Sequence, residues 1–184
     1  IQAAGKYSFV SCSDEAVENG LVTLEDYPVV HYILGLEKED PASKAYYKTF
    51  SSAMQRIMTS YCQAGGNLFV SGAYVGSDMS GTQGNREFTE KILKYGYQGS
   101  LTDKSSNQIK GLGRTITIPR LPNESSYAVP TADCIVPVDT AFPVFTYAPG
   151  NQSAGIAYKG NYRTFVLGFP FESIQSEADR ATIM

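Results

Sequence analysis

Apolar residues come in short blocks along this chain, and the period changes from block to block. Phe50, Met54, Ile57, Met58, Tyr61 and Cys62 fall at spacings of four, three, one, three and one, a single stripe on an α-helix. Thr49 or Ser51 is placed to cap its start, and Arg56 lies on the polar side. Gly65 then stands at the position just past the helix, where left-handed backbone costs glycine little. Leu68-Phe69-Val70 follows without alternation, as expected of a strand covered on both faces. Ser71-Gly72-Ala73-Tyr74 leaves the carboxyl end of that strand, where open parallel sheets place their ligand crevices.

The same reading extends in both directions. Residues 7–11 read as a first strand, and Ser13 with Asp14 and Glu15 opens a short helix. After Pro28, the apolar, β-branched run 29–34 reads as a second strand. The loop Glu37-Lys38-Glu39-Asp40-Pro41 is charged and most simply solvated. Residues 85–95 predict a helix with Phe88, Ile92 and Leu93 inward. Residues 97–135 are rich in Gly, Ser, Asn and Pro, with a strand at 115–118, and read as hairpin material or a long excursion. Runs at 141–147, 153–158 and 162–168 are strands, the last two joined as a hairpin by Lys159-Gly160-Asn161. A helix from Glu172 or Ser173 runs to the end. Strand–helix alternation in the first hundred residues predicts a three-layer flavodoxin-like α/β domain. Its sheet would be mainly parallel, with strands 7–11, 28–34 and 67–71 adjacent and an antiparallel hairpin added near the C-terminal part.

Composition narrows the function classes. The 184 residues suit a single domain spanning 1–184, and the helical end suggests a piece of a larger protein. A net charge of −3 leaves no electrostatic footprint for nucleic acid. No apolar run approaches the roughly 20 residues of a membrane span. Cys12, Cys62 and Cys134 share no short spacing, so buried free thiols are expected rather than a metal cluster or a disulfide framework. Thirteen Tyr without any Trp suit carbohydrate or protein contact, although half-buried sheet tyrosines are the commoner account.

Candidate chemistry gathers at the strand end. Ser71 sits where a nucleophile elbow would expose a side chain, but Phe69 replaces the first glycine of G-x-S-x-G. A strand-end serine bonding the backbone is the simpler account. His31 is the single histidine and lies mid-strand, expected to be an interior residue too deep to reach Ser71. Cys12 also follows a strand end, where a helix N-terminus would lower a thiol pKa, yet a small buried apolar residue explains it too. Gly76-Ser77-Asp78 can hold a polar ligand through backbone donors and the carboxylate, or form an Asx turn. Gly111-Leu112-Gly113-Arg114 lacks P-loop spacing, and no residues have metal-ligand spacing. No cofactor or metal is expected.

The segments Tyr61-Cys62-Gln63-Ala64-Gly65-Gly66-Asn67-Leu68-Phe69-Val70-Ser71-Gly72-Ala73-Tyr74 and Leu167-Gly168-Phe169-Pro170-Phe171-Glu172-Ser173-Ile174 carry a resemblance. They resemble the class I glutamine-amidotransferase-like domain, in the version found in secreted Bacteroidetes proteins labelled xanthan lyases. The resemblance implies a flavodoxin-like fold, an extracellular or periplasmic location and glycan-related work. Active members place a Cys on the elbow and a His-Pro-Glu after a later strand. Here Val70, Ser71 and Gly72 offer no Cys, and Phe169-Pro170-Phe171-Glu172 keeps the Glu without the His. The implied role is therefore a non-catalytic binding or interaction domain, without glutamine hydrolysis. Its ligand candidates are Ser71, Gly72, Tyr74, Ser77, Asp78 and Glu172, and its partners carbohydrate or neighbouring domains. The alternative is a hydrolase using Ser71 or Cys12.

Overall fold

The computed structural model describes residues 7–44, 47–101, 107–119, 121–124 and 126–184. Nine strands are present among them. Seven form one sheet in the order β1 (Val29–Gly35), β2 (Asn67–Gly72), β9 (Arg163–Leu167), β8 (Ser153–Lys159), β7 (Phe142–Ala148), β4 (Gln108–Gly111) and β5 (Arg114–Thr117). The other two, β3 (Tyr95–Ser100) and β6 (Asp133–Pro137), pair as an antiparallel ribbon. Helices are few and mostly short: α1 (Asp14–Glu18), α2 (Ser52–Gln63), α3 (Gln83–Phe88) and α4 (Glu177–Ile183).

This corrects the flavodoxin-like expectation. Only β1, β2 and β9 run parallel. Every other pairing in the main sheet, from β9 outward to β5, is antiparallel. The result is a mixed, curled, β-rich half-barrel rather than three α/β layers. The reason lies in the connections. α2 carries the chain across from β1 to β2, so that pair is parallel, as a helical crossover requires. β7, β8 and β9 follow one another through tight turns and must alternate in direction. The Gly- and Ser-rich stretch between α3 and β7 is no excursion, because it supplies β3 to β6, four of the nine strands.

Residues 7–11 form no strand. They are exposed coil, and β1 is an edge of the sheet. The helix expected to reach residue 95 is α3 followed by a π-turn at Thr89–Leu93, closed by Lys94 in the left-handed conformation (φ 68°). Tyr95 already belongs to β3. The C-terminal helix begins later than expected, after a 3-10 turn at Phe171–Ser173.

The central unit matches its sequence closely. Ser51 caps α2 by accepting from Met54 N at 3.0 Å. At the far end Gly66 N donates to Tyr61 O and Gly65 N to Cys62 O, with Gly65 at φ 94°, a Schellman closure. Gly66 cannot carry a side chain, since a Cβ there would meet the Tyr61 ring at 2.4 Å. β2 is buried from Leu68 to Gly72. Leu68 and Val70 join α1 and α2 in one core, while Phe69 faces a second core with Phe145, Tyr147, Leu167, Phe169 and Phe171. Two-sided cover explains why the strand does not alternate.

Candidate functional site

The carboxyl end of β2 carries Ser71 and Gly72, but on opposite faces of the sheet. Along a strand, alternate side chains point to opposite sides, so Phe69 and Ser71 share a face that Val70 and Gly72 do not. His31 pairs with Phe69 and Ile33 with Ser71. His31 is therefore only two residues, roughly 7 Å, behind Ser71 on an adjacent parallel strand and the same face. Its imidazole spans that gap, and Nε2 lies 3.1 Å from Ser71 Oγ. The expectation that His31 is too deep to reach Ser71 is thus corrected by the register of β1 on β2.

The pair is partly covered: Ser71 is enclosed, while His31 is half-buried. Ser71 is 0% exposed. The His31 ring stacks on Phe69 with centroids 3.9 Å apart and meets the edge of Phe171 at 5.3 Å. Burial lowers the His31 pKa to about 4, so the ring is neutral at physiological pH. Nδ1 is buried without a hydrogen-bond partner among the described residues, so no third side chain orients the ring as in a triad. Gly72, on the other face, lets the strands close up: a Cβ there would lie 2.8 Å from Leu34 Cβ. Cys12 is exposed coil, away from any strand end; Cys62 and Cys134 are buried thiols, and none of the three is paired.

The residues after β2 build a different feature. Lys38, Tyr74, Ser77, Asp78 and Ser100 line an open cleft of about 250 Å³. It lies between the strand end and the β3–β6 ribbon. Asp133, at the start of β6, holds the two sides together. Its Oδ2 accepts from Gly76 N (2.8 Å), Ser77 N (2.7 Å) and Ser77 Oγ (3.0 Å), and its Oδ1 from Ser100 Oγ (3.1 Å). Burial still raises its pKa above the ordinary value, the four donors opposing it. Asp78 ties down the charged loop: Oδ2 accepts from Thr49 N (3.0 Å) and Thr49 Oγ1 (2.8 Å), Oδ1 from Glu39 N (3.1 Å). Lys48 adds an ion pair to Asp78 at 3.7 Å and one to Glu39 at 3.0 Å. The loop read as solvated is thus anchored to the cleft. Tyr74 OH accepts from Thr131 Oγ1 at 3.2 Å, and the Lys38 ammonium stands 4.8 Å from the Tyr74 ring centre. Glu172 accepts from Tyr127 OH at 2.6 Å beside Gly35, where a Cβ would crowd Glu172 Oε1 at 3.2 Å and where the φ of 54° favours glycine.

Of the predicted ligand residues, Tyr74, Ser77 and Asp78 meet in one cleft; Ser71, Gly72 and Glu172 do not line it. Lys38, Ser100 and Asp133 were missed. Lys38 and Ser100 come from loop-like sequence, and Asp133 from a stretch with no periodicity. Among the described residues, no group of three or more His, Cys, Asp or Glu could hold a metal ion. No helix among them is long and apolar enough to cross a membrane.

No protein-family profile matches the chain, and no curated protein matches it. Solved structures do. Gan42B, a GH42 β-galactosidase from G. stearothermophilus, superposes with a TM-score of 0.56 at 10% identity, over 89% of this chain and 21% of that one. The exo-β-1,4-mannosidase Op5Man5 from Opitutaceae bacterium strain TAV5 gives 0.56 at 7% identity, over 88% and 26%. The N-terminal domain of mmIFT52 gives 0.58 at 13% identity, over 99% and 86%. This likeness is one of fold. The chain spans about a fifth of the length of the galactosidase. None of these neighbours is a glutamine-amidotransferase-like domain, which overturns the resemblance drawn from sequence. The segments that carried it have packing reasons of their own. Gly66 and Gly72 fit against Tyr61 and Leu34, and Phe169 and Phe171 fill the second core.

Proposed function

We propose that this domain belongs to a glycan-directed hydrolase and contacts the glycan at the cleft between β2 and the β3–β6 ribbon. The observation that carries the reading is the cleft itself. An aromatic wall, Tyr74, faces hydroxyls of Ser77 and Ser100 and an ammonium, in a floor fixed by Asp133. Few polar groups converging on an apolar wall is the usual make-up of a small-ligand site. The glycosidases that share the fold supply the ligand class. Calorimetric titration with β-1,4-linked galacto- and manno-oligosaccharides tests it. Binding in the range of about 1 mM or tighter, lost on Tyr74→Ala, is the expected result. Heat indistinguishable from dilution for every saccharide would overturn it.

The 3.1 Å contact between His31 and Ser71 favours a second reading, hydrolysis by the domain itself. Ser71 Oγ would attack an ester carbonyl carbon while His31 Nε2 takes the hydroxyl proton and returns it to the departing alcohol. Phe171, packed on both Phe69 and His31, would have to lift first. Covalent labelling by a fluorophosphonate, abolished in a folded Ser71→Ala variant, would establish it. Absence of labelling after long incubation would leave the pair a buried hydrogen bond. Cys12, in exposed coil, has no such support.

A further inference from the structure

The cleft is uneven in charge. The carboxylates around it are already engaged: Asp78 by Thr49, the Glu39 amide and Lys48, and Asp133 by Gly76, Ser77 and Ser100. Glu39 is paired with Lys48. Glu37, next to Lys38 in the chain, has its pKa raised to about 7 by burial, so it carries only part of a charge at neutral pH. Lys38 is different. It is exposed, its ammonium rests over the Tyr74 ring, and no carboxylate of the described residues lies within ion-pairing distance of it. A cation–π contact holds an ammonium in place while leaving its three N–H donors for another acceptor.

We propose that the cleft prefers an anionic saccharide, a sugar unit bearing a carboxylate or a sulfate, whose charge is met by Lys38. This rests on the reading of the cleft as a glycan site and specifies its ligand. The Ser77 and Ser100 hydroxyls donate to Asp133, so they meet a ligand as acceptors for its hydroxyls. Lys38 then supplies the only charge-assisted donor of the five lining residues.

The test compares galactose, galacturonate and galactose 6-sulfate by ligand-observed NMR titration of the protein and of Lys38→Met and Lys38→Arg. Both substitutions are at an exposed side chain, so folding is retained. The expected result is that one or both anionic sugars bind about three- to tenfold tighter than galactose. Lys38→Met removes the preference without weakening galactose, and Lys38→Arg keeps it. The preference also shrinks near 1 M salt, where the Debye length is about 3 Å. The anion that gains identifies the class. Equal affinities for the three sugars would overturn the inference and leave the glycan site standing. Binding of none of them, nor of the longer oligosaccharides, would remove both.

Discussion

Asp133 accepts hydrogen bonds from four donors on two elements and is wholly buried. Removing the acceptor leaves the buried Gly76 N–H and the half-buried Ser77 and Ser100 donors unpaired, and a fully buried group of this kind costs about 1–3 kcal/mol. Asp133→Ala should therefore destabilise the fold by roughly 2–4 kcal/mol in denaturant melts, whereas a loss below half of that would mean the donors find other partners. Glu37 gives the clearest pH dependence. Its pKa rises from 4.5 to about 7 through burial, reinforced by Asp14, Glu15, Asp78 and Glu18. With the folded value above the unfolded one, the native state binds more protons between the two. Stability then falls as pH rises through that window. Thermal melts should show Tm declining from about pH 5 to pH 8, with a flatter profile in Glu37→Gln. Identical profiles would place the titration elsewhere. Neither residue's role was legible in the sequence. Asp133 sits in an aperiodic stretch, and Glu37's pKa depends on α1 and on Asp78, far along the chain.

α2 and β2 were the most legible elements, because their determinants are local. A 3.6-residue stripe, a serine cap and a glycine close the helix without help from distant residues. One position in the stripe was over-assigned. Met54, Met58, Tyr61 and Cys62 are buried, but Ile57 is only partly so. Met58→Ala should cost about 2–5 kcal/mol through lost burial and a cavity. Ile57→Ala should cost about 1 kcal/mol, in proportion to the smaller area it loses from water. Equal losses in parallel denaturant melts would put Ile57 back in the core. Strands β3 to β6 were legible only in part, at 115–118. Each is four to six residues long; β4 and β5 close a tight hairpin across Leu112-Gly113, but β3 pairs with β6 and β4 with β7 from about 30 residues or more away. Ile109 sits opposite Tyr147 on β7, both buried, yet nothing within either strand announces the other.

At the scale of the whole molecule, the sequence signalled the parallel β1–β2 pair and the antiparallel β8–β9 hairpin and concealed most of the remaining order. Strand direction is set by which strands are neighbours, and β2 takes β9 from nearly a hundred residues away. The same order predicts local stability. β2, paired on both edges and covered on both faces, should show the slowest amide exchange, whereas residues 7–13 should exchange at once. Protection spreading into 7–13 would indicate an eighth strand on the β1 edge. The sheet's layout also separates two sites that looked like one in the sequence: buried Ser71 and half-buried His31 pack against the aromatic second core, and Tyr74 and Lys38 line the open cleft. Mapping amide shifts of the ¹⁵N-labelled domain during titration with an oligosaccharide tests that separation most directly. Perturbations confined to residues around Lys38, Tyr74, Ser77 and Ser100 are the predicted result. An unmoved spectrum at saturating sugar, or shifts centred on His31, Ser71 and Phe171, would contradict it.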